Sequence, residues 1–243
     1  MKKFFATLVL CLATIGIQAQ TDNIRHEIEM VTDSGKIVIA LYNETPQHRD
    51  NFLKNVKEGV YDGQLFHRVI KDFMIQAGDP ASKTATKGQM LGDSDDKYTV
   101  PAEIVYPKLF HKRGAVAAAR ESDDVNPQRA SSATQFYIVW GRKFSDNQLA
   151  WAQERIDKYT NGQIKITPEI GNIYYTNGQI KITPEIGNIY KTVGGTPHLD
   201  GSYTVFGEVL EGLDIVERIQ TATTDDNDRP INDIRIVKAT VIK

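Results

Sequence analysis

Cysteine is nearly missing from this 243-residue chain, where Cys11 is the one copy. A lone thiol cannot close an intramolecular disulfide. Without a second Cys there is also no C-x-x-C redox pair and no thiolate zinc cluster. An excess of positive charge is lacking too: 29 Lys and Arg face 31 Asp and Glu, for a net charge of −2. That balance excludes a basic surface built for nucleic acid. The apolar run from Phe4 to Ile17 has 14 residues, short of the roughly 20 that span a bilayer, and no later segment approaches that length. The histidines, His26, His48, His67, His111 and His198, show neither H-x-x-x-H nor H-E-x-x-H spacing, so no metal site is expected. Two acidic clusters, Asp93 with Asp95 and Asp96, and Asp225 with Asp226 and Asp228, lack the glycine and distal glutamate of a calcium loop. They read as solvated turns. Gly194-Gly195 lacks the strand and helix context of a phosphate loop, and no G-x-S-x-G elbow offers a hydrolase nucleophile. No cofactor is expected.

What is present begins with a leader. Lys2-Lys3, the apolar run and Gln18-Ala19-Gln20 follow the charged, apolar, small-residue order of a secretory signal peptide over residues 1–20, cut at Ala19 or Gln20. Leu10 before Cys11 does not fit a lipoprotein signal. The expectation is an exported protein in the periplasm or outside the cell, with retention by an uncleaved leader as the alternative. Removal of Lys2 and Lys3 takes the net charge to −4 and leaves no membrane span.

Residues 21–243 read as one domain, long enough to bury a sizeable core. His26 to Val31 and Lys36 to Leu41 alternate around Thr32-Asp33-Ser34-Gly35, the pattern of a hairpin. Thr45-Pro46 supplies an N-cap and an N1 proline, and Phe52, Leu53 and Val56 share a helical face, predicting a helix from Pro46 to Glu58. Short strand-like runs follow at Leu65 to Val69, Phe73 to Gln76, Ala115 to Ala119, Phe136 to Val139, Thr204 to Val209 and Ile234 to Ile242. Leu213, Val216 and Ile219 mark a second helix over Gly212 to Ile219. Many short strands with few helices favour a closed β architecture, since closure removes exposed edges.

Residues 145–195 break that rhythm and read as an insertion. Leu149, Ala152, Ile156 and Tyr159 recur at helical spacing after a capping Ser145. The motif Y-T-N-G-Q-I-K-I-T-P-E-I-G-N-I-Y then occupies 159–174 and, identical at every position, 175–190. Two units of 16 residues are too few for a solenoid. The segment is either a tolerated surface insertion or a recognition arm for a partner.

The run Phe66-His67-Arg68-Val69-Ile70-Lys71-Asp72-Phe73-Met74-Ile75-Gln76-Ala77-Gly78-Asp79-Pro80 carries the chemistry. Alternation through the two strands places Phe66, Arg68 and Ile70 on one face, and Phe73 and Ile75 on one face of the next. An arginine among large apolar side chains can hold an apolar ring beside one strong donor fork. The run resembles the signature of the cyclophilin family of peptidyl-prolyl cis-trans isomerases. Gly114-Ala115-Val116-Ala117-Ala118-Ala119 resembles the family's next strand, Thr134-Gln135-Phe136-Tyr137-Ile138 its S-Q-F-F-I motif, and Leu199-Asp200-Gly201-Ser202-Tyr203-Thr204-Val205-Phe206-Gly207 its L-D-G-x-x-x-V-F-G motif, all in family order.

The resemblance implies a mainly β fold, a closed eight-stranded antiparallel β-barrel capped by two α-helices. It implies Arg68 as the catalytic group and Phe73, Met74, Tyr137 and Leu199 as the pocket for a proline ring. Gln76 and the Ala119 strand would hold the substrate backbone, with Gln135, His198 and Tyr203 completing the substrate-binding set. His67 falls on the opposite strand face and reads as a structural hydrogen-bonding residue. The implied partners are proline-containing polypeptides, unfolded or exported. An alternative is a periplasmic chaperone or binding module that holds such clients without obligatory catalysis.

Three positions depart from the family's best-known members. Tyr137 stands where many carry Phe, Tyr203 where His is common, and His198 where members highly sensitive to cyclosporin carry Trp. The missing indole removes a donor and contact area, so cyclosporin is expected to bind weakly at most. Nanomolar inhibition in a proline-isomerisation assay would refute that expectation.

Overall fold

The computed structural model describes residues 25–93, 98–160 and 181–243, and of residues 158–160 the backbone alone. The leader, Asp95, Asp96, most of the first motif copy and residues 175–180 of the second lie outside the described residues, as does the Tyr159 side chain. Among the described residues no helix is long and apolar enough to cross a membrane.

The opening hairpin forms where alternation places it. β1 (Glu27–Thr32) and β2 (Gly35–Leu41) pair antiparallel with Thr32 opposite Gly35, and the Thr32 hydroxyl closes the turn by donating to the Gly35 carbonyl at 2.7 Å. Ile28, Met30, Ile37 and Ile39 all point into the main core. The first helix, α1 (Pro46–Lys57), begins at the expected proline, but the Thr45 hydroxyl makes no cap bond. Glu103 replaces it: its carboxylate accepts from the Gln47 and His48 backbone N–H groups at 3.0 Å each and lies 2.7 Å from His48 Nδ1. A carboxylate serves this end well, because the first-turn amides have no partners inside the helix.

The remaining strands are β3 (Arg68–Ile70), β4 (Met74–Ala77), β5 (Thr99–Val100), β6 (Ala115–Ala118), β7 (Ser131–Ser132), β8 (Phe136–Val139), β9 (Val205–Glu211) and β10 (Ile236–Val241). β5 and β7, which alternation did not reveal, form a separate two-stranded ribbon. The other eight make one antiparallel sheet in the order β10-β1-β2-β9-β6-β8-β4-β3. The fold is therefore mainly β with eight antiparallel strands, but the closed barrel is not matched. β3 and β10 end the strand order and do not pair with each other. Between them only Leu65 and Arg235 form an isolated bridge, with Gly63 and Phe66 donating to the Ile236 and Ile234 carbonyls. The Leu65 N–H, which faces away from the 234–236 segment, donates to the Ser82 hydroxyl at 3.0 Å.

The described residues form four α-helices, the two expected to cap the sheet and two in the insertion. α1 and α4 (Leu213–Gln220) press Phe52, Leu53, Val56, Ile215, Val216 and Ile219 into the main core. α2 (Asp146–Thr160) and α3 (Pro184–Thr192) belong to the insertion and share a second core with Tyr106 and Ile104. The second motif copy explains α3: Thr183 caps it by accepting from the Ile186 N–H, Pro184 occupies its first turn, and Ile186 and Tyr190 face inward.

After α3 the chain returns at Gly195, which bridges both Lys112 and Arg142. Its φ is +151°, and a Cβ there would lie 2.2 Å from the His111 carbonyl oxygen and 2.6 Å from the Tyr190 ring. Such overlap with fixed backbone forces a shift. Gly195→Ala is expected to cost about 2 kcal/mol or more, a fall in Tm of roughly 5 °C by thermal circular dichroism. Gly187→Ala, where the nearest atom is the Leu149 Cδ1 at 3.5 Å, should leave Tm unchanged or raised.

Candidate active site

Period-two alternation splits the middle of the sheet into two functions. Val116, Ala118, Phe136, Ile138, Ile75 and Ala77 turn inward to the main core. Their neighbours Ala115, Ala117, Tyr137, Val139 and Met74 turn outward and form a second apolar cluster with Phe73, Leu199 and Tyr203. Register then aligns the polar groups. Arg68 lies opposite Gln76, Gln76 opposite Tyr137, and Tyr137 opposite Ala117, so one cross-strand row carries guanidinium, amide, phenol and methyl across the outer face. A cavity of about 260 Å³ opens over this row, lined among others by Arg68, Phe73, Met74, Gln76, Tyr137 and Leu199.

The structure thus gathers most of the expected residues and revises how they arrive. Phe73 and Ile75 do not share a face. Phe73 sits in the turn before β4, which Asp72 makes with a φ of +59°, and from there it reaches the cavity while Ile75 enters the core. Phe66 likewise lies in the core, because β3 starts only at Arg68 and alternation does not extend back to it. For the same reason His67 does not point away: it lines the same cavity as Arg68.

Arg68 is half-exposed, and its Nε lies 3.4 Å from the Asp228 carboxylate. Gln76 is oriented from behind: its amide donates to Gln135 Oε1 at 3.0 Å, and Gln135 in turn donates to the Gly92 carbonyl at 2.9 Å. Gln135 therefore supports Gln76 and is not among the lining residues. Ala119 and Tyr203 do line the cavity. The Ala119 N–H already donates to the Gln135 carbonyl, and its carbonyl accepts from Ser132, so that N–H is not available to a substrate. His198 is also not a lining residue. It stacks on Phe73 with ring centroids 5.6 Å apart.

Sequence reasoning missed Arg120. It follows five small residues, Ala115 to Ala119, and lines the cavity with its guanidinium 4.4 Å over the Tyr203 ring. Donation to the Ser202 carbonyl and an ion pair with Asp123 hold it almost fully buried. Its alternation with nothing polar left no signal of which way it turns. Burial removes charge elsewhere at the site: it lowers the pKa of His67 to about 4, against the pull of Asp79, and that of His198 to about 4, helped by Arg155. Burial likewise pushes the Tyr137 hydroxyl well above its ordinary value. The result is a cavity with apolar walls at Phe73, Met74 and Leu199, two guanidiniums, Arg68 and Arg120, on its lining, and no serine, threonine or cysteine among the lining residues.

Apolar walls beside a half-exposed guanidinium suit binding and polarising, and comparison with known proteins gives the class. The family described as cyclophilin type peptidyl-prolyl cis-trans isomerase/CLD matches residues 27–241. The chain belongs to that family, and it is an enzyme of the peptidyl-prolyl cis-trans isomerase class. It is 29% identical over 217 residues to the peptidyl-prolyl cis-trans isomerase ppi1 of Schizosaccharomyces pombe, covering 88% of this chain and 98% of that one. A crystal structure of a Cryptosporidium parvum cyclophilin type isomerase superposes with a TM-score of 0.59 at 20% identity, covering 90% of this chain and 99% of that one. The same parasite protein, in a structure determined in the presence of the dipeptide Ala-Pro, gives 0.57, again at 20% identity, with coverage of 89% and 99%.

The two neutral histidines make stability depend on pH in a definite direction. Unfolded, each takes up a proton near 6.5, whereas folded it does so only near 4. Between those values the unfolded state binds more protons, so acidification destabilises the fold. Tm is expected to fall as pH drops from 6.5 towards 4, and His67→Gln should flatten that fall. An unaltered slope in the variant would contradict the assignment.

Proposed function

We propose that the enzyme accelerates rotation about X-Pro bonds in exported polypeptides, with Arg68 stabilising the twisted amide. Rotation loses amide resonance against a barrier of roughly 18–20 kcal/mol, and it makes and breaks no covalent bond. A catalyst needs only to favour the twisted state over both planar ones. In that state the proline nitrogen becomes pyramidal and gains a lone pair. A guanidinium beside it interacts with this lone pair more strongly than with the planar, resonance-depleted nitrogen.

The carrying observation is the cross-strand row. It sets Arg68 and Gln76 on adjacent strands beside Tyr137, around a cavity whose other walls, Phe73, Met74 and Leu199, are apolar. A proline ring seated against those walls would bring its nitrogen towards Arg68, with Gln76 offering an amide to the flanking carbonyl. Its Asp228 partner leaves the rest of the guanidinium fork for substrate. The exported context rests on the leader at 1–20 and the absence of cysteine beyond it. Weak cyclosporin binding rests on His198, which presents a stacked imidazole and no indole.

Arg68→Ala should leave the circular dichroism spectrum unchanged and lower kcat/KM by about 100-fold or more, equivalent to ~2.7 kcal/mol of transition-state stabilisation. A protease-coupled isomerisation assay on a short proline peptide measures it. Undiminished activity in a folded variant would rule out this role for Arg68.

A further inference from the structure

Behind the pocket wall lies a chain of buried polar groups that the reaction itself does not use. Tyr190, the last residue of the second motif copy, donates its hydroxyl to Asp200 Oδ2 at 2.6 Å. The other carboxylate oxygen lies 2.9 Å from His111 Nδ1 and accepts from the His111 backbone N–H at the same distance. His111 Nε2 lies 3.0 Å from the Tyr137 hydroxyl, and the two rings stack 12° from parallel. Tyr190, Asp200 and His111 are at most 1% exposed, and Tyr137 is 5% exposed.

Burial leaves these groups little freedom. A carboxylate facing Nδ1 accepts only if that nitrogen carries a proton; in the neutral ring Nε2 is then the acceptor and the Tyr137 hydroxyl donates to it. Each group thereby fixes the next, and an unpaired member would carry the full cost of its desolvation. The order runs from helix α3 of the insertion to the pocket wall, crossing three separate segments of chain.

We propose that Tyr190 is a positioning residue of the isomerase site, acting through Asp200 and His111 to hold the Tyr137 ring as the wall of the proline pocket. The inference rests on the isomerase reading above. It ties the insertion to the site, since the second motif copy supplies the outer end of the relay. Without the Tyr190 hydroxyl, Asp200 loses one donor and can turn, His111 loses its fixed orientation, and the Tyr137 hydroxyl is released from the direction that keeps it out of the pocket.

A double-mutant cycle tests the coupling. In the full chain, Tyr190→Phe is expected to lower kcat/KM on a proline peptide about 3- to 10-fold, chiefly through KM. In a Tyr137→Phe background, which has no hydroxyl to direct, Tyr190→Phe should change it less than about 1.5-fold. Equal losses in both backgrounds, or no loss in either, would overturn the proposal and leave Tyr190 as a helix anchor. Nitrogen-15 chemical shifts of His111 in the unmutated protein give a second reading that needs no variant to fold. The Nδ1–H tautomer is expected, and an Nε2–H tautomer or a doubly protonated ring overturns the relay. Activity of the native chain above the uncatalysed rate, measured alongside, separates the two failures: none defeats the isomerase reading, while additive Tyr190 effects in an active enzyme defeat only the relay.

Discussion

Strand register is the constraint on which the site depends. Arg68, Gln76, Tyr137 and Ala117 come from four strands, and they form a row only because each is directly opposite the next. A slip of one residue in β4 would exchange Gln76 for Ile75 or Ala77 and send the amide into the core. The core prevents it, since Ile75, Ile138 and Val116 form the adjacent row on the inner face and are fully buried. Packing inside the sheet thus sets the chemistry outside it.

Two arginines at one cavity show how burial divides labour. Arg120 is held on all sides, by the Ser202 carbonyl, Asp123 and the Tyr203 ring, and stiffens the wall. Arg68 has a single loose partner in Asp228 and keeps much of its surface open. In the proposed mechanism a guanidinium that meets a developing lone pair needs donors not already satisfied, whereas one that supports a wall needs the reverse.

The legible part of this molecule was the part written in local periodicity. The opening hairpin, α1, α4 and most sheet strands follow from alternation and helical spacing. The pocket residues Phe73, Met74, Tyr137 and Leu199 follow from the family motifs, and the structure places all four around one cavity. What stayed hidden depends on contacts between distant segments. Glu103 caps α1 from 55 residues away. Asp228, which read as part of a solvated acidic turn, lies beside Arg68 because the Val69 N–H donates to its carbonyl. The gap between β3 and β10 was equally invisible, since it depends on how the segments before each strand, 63–66 and 234–236, meet.

The inner and outer rows of the sheet also separate two kinds of change. Neighbours in sequence, such as Ile75 and Gln76 or Tyr137 and Ile138, answer to different demands, one to the solidity of the interior and the other to whatever is bound. Of the outward set in β4, β6 and β8, Met74, Gln76 and Tyr137 line the cavity, whereas Ala115, Ala117 and Val139 are fully buried in the second cluster. The pleat keeps those lining positions off the inner face, so a change in what is bound falls on side chains other than those of the main core.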